Sequence, residues 1–185
     1  MSLVLIVVLT LLLLLAWRVA LCRFRAPDFV IGKADSVYMN RWYVIPRNRW
    51  FNLYLHQILR SDDDRALHDH PWVNCSIVLK GGYFEIMPEH APSVSWPVPP
   101  TIDKWRGRGS IVLRRPTAAH RLVIGGDGPC WSLFITGPNV RDWGFWCPKG
   151  WKKWTDFVDV GNTGAVGPGC DDAPLKSGAR IDRSF

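Results

Sequence analysis

The chain has 185 residues, 48% of them hydrophobic and 12% aromatic, enough for one domain of ordinary size with short appendages. Its net charge of +7 comes from basic residues that flank an apolar segment or alternate with acids, as in Arg60 to Arg65. That dispersal argues for solubility and attraction to anionic lipid headgroups, and against specific nucleic-acid binding.

Met1 to Trp17 is apolar except for Ser2 and Thr10. Its length is at the lower limit for a helix crossing the hydrocarbon core, and Val19 to Leu21 extend it if Arg18 snorkels to the interface. A cleaved signal peptide is the rival reading, yet it normally carries positive charge before the apolar run, and here the charge follows. Val-Ala-Leu-Cys22 is similar to a lipoprotein cleavage site, but Leu21 is too bulky for the position before the cysteine. Arg18, Arg23 and Arg25 place the following domain in the cytoplasm by the positive-inside tendency. The expected organisation is a single-pass, lipid-contacting anchor at 1–22, a linker at 23–35, a β-domain at 36–158 and a flexible tail at 159–185.

Strand-like runs follow in order: Trp50–Leu59, Trp72–Leu79, Gly82–Met87, Ser110–Arg114, His120–Ile124, Cys130–Thr136 and Asp142–Trp146. Lys80-Gly81-Gly82 predicts a tight hairpin turn, because glycine accepts positive φ. The prolines between Ala91 and Pro100 predict an irregular loop. Short strands without helical periodicity imply an all-β fold, an antiparallel sandwich or barrel. Cys22, Cys75, Cys130, Cys147 and Cys170 are odd in number and irregularly spaced, which predicts no disulfide framework and a reducing compartment. Cys147, before Pro148, is a candidate thiol near a site. The Trp-rich stretch from Arg141 to Trp154 predicts a closing strand that buries apolar area.

The chemistry concentrates in Leu67-His-Asp-His-Pro-Trp72. On an extended strand His68 and His70 point to one side and Asp69 to the other. Two imidazoles so placed can bind one metal through neutral ring nitrogens. Trp72, Asn74 and Ser76 share that parity, and a hairpin at Gly81 turns Glu85 inward too. His120 is a third candidate ligand. Asn74 and Glu85 are possible further ligands, Glu85 alternatively a general acid/base or a barrel residue paired to an arginine. His56 and Tyr54 are candidate cavity residues on the preceding strand. Arg114 or Arg115 could hold a substrate carboxylate bidentately, or pair at the surface with Asp62 to Asp64. Trp72 is a weak substrate-binding candidate, and His90 is expected to be exposed.

These residues resemble the cupin superfamily. His68 and His70 match the histidine pair of its first motif, and Gly81 the later glycine. Gly109 and His120 keep the eleven-residue interval of the second. Asn74 stands where the motif has glutamate, Asp62 where it has its leading glycine, and Pro116 is displaced by one. The chain resembles in particular small phage and bacterial cupin-like proteins with a His-Asp-His-Pro-Trp block and a later Trp-Gly-Phe-x-Cys-Pro-x-Gly-Trp block. The resemblance implies a double-stranded β-helix (cupin, or jelly-roll) barrel, here preceded by one transmembrane helix. It further implies a mononuclear centre of His68, His70 and His120, with open positions for dioxygen and a small-molecule substrate. Fe(II) dioxygenase chemistry is the leading expectation, with Mn, Zn, Ni and Cu as alternative metals. A cupin isomerase or epimerase, a non-catalytic metal-binding sensor module, and a metal-free structural barrel stay open, as does a homodimer.

Overall fold

The computed structural model describes residues 2–33, 36–62, 66–93, 99–126, 128–158 and 167–170. Asp63, Asp64 and Arg65, the centre of the proline-rich stretch (94–98) and most of the predicted tail lie outside the described residues.

The leading apolar run forms α1 (Leu3–Cys22), long and apolar enough to cross a membrane. Most of it projects away from the rest of the chain. Its last turns do not: Cys22 is buried with Trp42, Val44, Leu53 and Leu55, and Leu15 and Val19 pack on the same cluster. Arg18 Nε donates to the Val44 carbonyl at 2.8 Å, and the Arg23 guanidinium lies over the Trp131 ring.

Twelve strands follow among the described residues. They are β1 (Phe29–Lys33), β2 (Ser36–Tyr43), β3 (Asn52–Ile58), β4 (Leu67–His68), β5 (Asn74–Lys80), β6 (Gly82–Pro88), β7 (Thr101–Gly107), β8 (Ile111–Arg114), β9 (Arg121–Ile124), β10 (Cys130–Thr136), β11 (Gly144–Cys147) and β12 (Gly150–Lys153), before a single helical turn, α2 (Trp154–Phe157). One antiparallel layer has the order β1-β2-β3-β10-β5-β8. The other consists of β7-β6-β9 and β12-β11-β4, joined by an isolated bridge between His68 and His120. Met39, Ile58, Val78 and Cys130 of the first layer meet Tyr83, Leu122 and Ile124 of the second in a shared core. β3 is covered on both sides: Leu53 and Leu55 face α1, while Tyr54 and His56 point the other way, which is why Leu53 to His56 are all buried without alternation.

Four expectations are corrected here. The segment 23–35 is not a plain linker, because β1 pairs with β2 from Phe29 to Lys33. Lys80-Gly81-Gly82 is not a hairpin. Gly81 does take a positive φ of 69°, but β5 and β6 belong to different layers, and the turn carries the chain across the core. The positive φ that a hairpin and a crossover both need is the same signal, so glycine alone does not tell them apart. Cys147 is not a free thiol: it forms a disulfide with Cys170, their Cα atoms 5.3 Å apart. The pair is invisible to spacing because the fold, not the sequence interval, brings the residues together. With it, the predicted tail is in part tethered, since Gly169 also donates to the Phe157 carbonyl and accepts from Lys152 Nζ.

Asp69 points away from the histidines that flank it, as strand parity requires. It is 1% exposed, and its carboxylate accepts from the Gly144 amide at 2.9 Å and from Trp151 Nε1 at 3.1 Å, with Arg141 Nη1 3.0 Å away. The two sequence blocks thus meet through one side chain. Asp69→Ala would strand a buried amide, an indole N–H and an arginine together, and should cost about 3 kcal/mol of stability. A urea melt of the full chain in detergent checks this; an unchanged midpoint would remove Asp69 from that role.

Candidate metal centre

β4 is short, and His70 lies just past its end, where the His70 amide donates to the Pro116 carbonyl. His120 lies just before β9 and exchanges both backbone hydrogen bonds with His68. The three side chains therefore come from two antiparallel chain segments held in fixed register. Their ligand nitrogens all lie within 4.8 Å of one another. His70 Nε2 and His120 Nε2 are 3.0 Å apart.

The next layer of contacts fixes the rings. Glu85, on β6, is 1% exposed and accepts from His120 Nδ1 at 2.9 Å. The same carboxylate receives Arg106 Nε at 2.7 Å and Arg114 Nε. Arg114, on β8 in the opposite layer, also donates to Ser76 Oγ at 2.9 Å, Asn74 Oδ1 at 3.3 Å and Tyr83 Oη at 3.2 Å. His70 is stacked on Trp72 with centroids 4.6 Å apart, and His68 lies against Phe145 at 5.8 Å.

Protonation follows from burial. Burial lowers His120 to about 3, outweighing its hydrogen bond to Glu85, which favours the charged ring. His70 is pushed well below its usual range by burial and then by the neighbouring His68, His120, Arg114 and Arg41. Burial alone would raise Glu85, but the His120 hydrogen bond and the Arg114 guanidinium hold it well below the ordinary carboxylate value. With Glu85 ionised, His120 keeps its proton on Nδ1 and turns the Nε2 lone pair toward His70.

The donor set fits a divalent first-row metal. Two nitrogens about 2.1 Å from one ion at a right angle would stand about 3 Å apart, which matches the His70–His120 separation. Two of the imidazoles are held neutral, the tautomer of His120 is set by a carboxylate, and that is the usual support of a metal-ligating histidine.

The other predicted residues are placed as follows. Glu85 lies behind His120 as its orienting partner, and Asn74 is buried with its carbonyl turned to Arg114; neither joins the three-histidine cluster. Arg114 is 5% exposed, so the surface ion pair expected for it is replaced by a buried one with Glu85. Arg115 is exposed, one residue out of phase. His56 sits across Phe134 from His70, stacked on Tyr54 at 5.8 Å, and accepts from Arg41 Nε at 2.9 Å. Burial and the Arg41 charge keep it neutral. His90 is exposed. Arg41, Tyr83 and Arg106 were not singled out in the sequence. Arg106 lies on β7, whose alternation is too polar to register as a strand; Arg41 lies on β2, ahead of the first strand-like run read from the sequence.

No family model and no curated protein matches this chain. Solved structures similar to it include the polyketide cyclase RemF from Streptomyces resistomycificus, at 18% identity over 63% of this chain and 76% of that one, with a TM-score of 0.42. Hydroxypropylphosphonic acid epoxidase from S. wedmorenis is 14% identical over 60% of this chain and 57% of that one, TM-score 0.44. An uncharacterized conserved protein with a double-stranded beta-helix domain from Klebsiella pneumoniae is 12% identical over 65% and 88%, TM-score 0.43. At these values the likenesses carry no chemistry over to this chain.

Buried neutral histidines make the metal-free protein acid-sensitive. Unfolded histidines titrate near 6.5, whereas His56, His70 and His120 stay neutral in the fold, so the unfolded state binds more protons once the pH drops below 6.5. Stability should fall by up to about 1.4 kcal/mol per pH unit for each of them, and Glu85 adds to the loss below about 4.5. Thermal melts of chelator-treated protein between pH 7.5 and 5 (roughly one unit above to one and a half below the reference value) read this directly. His56→Gln should flatten the slope by one histidine; a pH-independent midpoint would show that these rings are not held neutral.

Proposed function

We propose that the chain is a membrane-anchored double-stranded β-helix protein of the cupin type that binds one divalent metal through His68, His70 and His120. We further propose that it acts as a mononuclear Fe(II) dioxygenase on a small molecule. The observation that carries the metal reading is the convergence of three imidazoles with Glu85 fixing the tautomer of one. Support for the fold reading comes from the two antiparallel layers joined at the His68–His120 bridge. A bound ion of this class supplies Lewis acidity or redox capacity at the three nitrogens.

The chain's own residues do the remaining work. Trp72 and Trp143 stack on His70, and Phe145 lies against His68, so that aromatic rings restrict how far these imidazoles can turn. Arg114 holds Glu85 ionised, and Glu85 holds the proton of His120 on Nδ1. Asn74 turns its carbonyl to Arg114, and its Nδ2 is buried without a hydrogen-bond partner among the described residues. A non-catalytic metal module is the second reading. It is favoured by the position of Trp72, which is stacked on His70 and lines the neighbouring cleft, so that its ring covers His70 on the cleft side.

Elemental analysis of the full chain in detergent should find about one metal per chain, lost in His68→Ala and His120→Ala. Glu85→Gln should weaken metal affinity by about 10–100-fold, as expected for a ligand's orienting partner. Iron together with oxygen uptake that depends on added small acids or thiols supports the enzyme. Stoichiometric metal without turnover supports the binding module, and no metal in the unaltered chain removes both.

The arginines after α1 support a domain on the cytoplasmic side, while the Cys147–Cys170 disulfide favours an oxidising compartment. We propose the cytoplasmic side. Protease added to sealed right-side-out vesicles should then leave the domain intact; digestion would place it on the opposite face.

A further inference from the structure

A cleft of ≈ 440 Å³ adjoins the metal centre on the far side of Trp72. The β2–β3 loop provides Arg47, Asn48 and Arg49, β3 provides Asn52 and Tyr54, and the segment after β10 provides Asn139. Among the described residues no acidic side chain lines it, and the sequence from Val44 to Leu53 contains none. The Asn48 and Asn52 side chains fold the loop itself, Asn48 Oδ1 accepting from the Trp50 and Phe51 amides and Asn52 Nδ2 donating to the Asn48 carbonyl. The two arginines beside the space make a site for an anion, since guanidinium forks match phosphate and carboxylate oxygens in pairs.

Sheet register shows which end of the domain this cleft occupies. Asn52 pairs with Thr136, Thr136 with Asn74, and Asn74 with Arg114, so these four form one row across the first layer. Trp72 and the β2–β3 loop lie at that end, and Ile58, Cys130 and Lys80 mark the other. α1 joins the domain at the same end as the cleft. Arg18 donates to the carbonyl of Val44, and Leu15 and Ile45 belong to the same packed cluster.

Helix length then sets the depth. The 20 residues of α1 span about 30 Å, roughly the thickness of the hydrocarbon core, so little of the helix is left to lift the domain off the bilayer. Its last turns are already packed on β2 and β3. The β2–β3 loop therefore comes to lie in the headgroup region, and its composition suits that place. Trp50 is 64% exposed, Phe51 is 54% exposed, and Arg49 stacks over the Trp50 ring at 4.7 Å.

We propose that the cleft takes the phosphate headgroup of an anionic membrane lipid directly from the bilayer, with Arg47 and Arg49 holding the phosphate. This rests on the anchor reading of α1 and deepens the functional one: the ligand that reaches Trp72 and the metal centre is an amphiphile presented by the membrane.

The test is native mass spectrometry of the full chain released from detergent in the presence of phosphatidylglycerol or phosphatidylcholine. One phosphatidylglycerol should be retained in preference to phosphatidylcholine by at least about tenfold. The Arg47→Gln/Arg49→Gln double variant should lose that preference while keeping its metal and its melting temperature, and Arg23→Gln, at the end of α1, should keep the preference. Equal retention of the two lipids, or a preference unchanged in the double variant, would overturn the proposal. So would displacement of the lipid by millimolar inorganic phosphate (on the order of a weak-site concentration), which would make the ligand a free anion. Alkaline carbonate extraction reads the anchor separately, and metal content reads the histidine site, so failure of either is distinguishable from failure of the lipid site.

Discussion

A single carboxylate ties the two layers of this protein together. Glu85 leaves β6 in one layer, meets Arg106 from the neighbouring β7 and Arg114 from β8 in the other layer, and ends on the imidazole of His120. A carboxylate buried to this degree is costly unless its oxygens are satisfied, and here each oxygen has a guanidinium. The arrangement does two jobs at once. It compensates a buried charge, and it sets which nitrogen of His120 is left with a lone pair. The orientation of His120 therefore depends on a group that lies outside the three-histidine cluster.

Much of this was legible in the sequence, and the reasons are local. His68 and His70 could be placed on one side, and Asp69 on the other, because alternation along an extended chain is a property of the backbone. The interval from Gly109 to His120 pointed to a third imidazole. β10 was readable from end to end because apolar and aromatic residues fill it and a glycine or proline bounds it on each side. What was not legible was pairing. Nothing near Gly81 tells a hairpin from a crossover, nothing near Cys147 names Cys170, and β7 carries Asp103, Lys104 and Arg106 along an edge that reads as loop. Such features belong to contacts between distant segments, and one-dimensional patterns do not record them.

The two tryptophan-bearing blocks show how a motif can be structural in one residue and chemical in the next. In His68-Asp69-His70 the outer residues face the cluster, while the middle one anchors β11 and β12 through Gly144 and Trp151. Gly144 has no room for a side chain, since a Cβ there would stand 2.1 Å from the Lys152 carbonyl oxygen. The hairpin that carries Phe145 against His68 is thus pinned at its first residue by the chain that supplies the histidines.

The packing of α1 on the sheet has a practical side. Trp42, Val44, Leu53 and Leu55 owe their burial partly to that helix, and Trp131, Leu133 and Ile135 border the same area. A fragment cut just after the helix would bare a greasy face on otherwise well-formed strands, and a cut at residue 34 would also remove an edge strand. Such truncations would clump for reasons unrelated to misfolding. Producing this protein for study calls for keeping its first residues and supplying a micelle or a nanodisc, rather than trimming it to what looks like the domain.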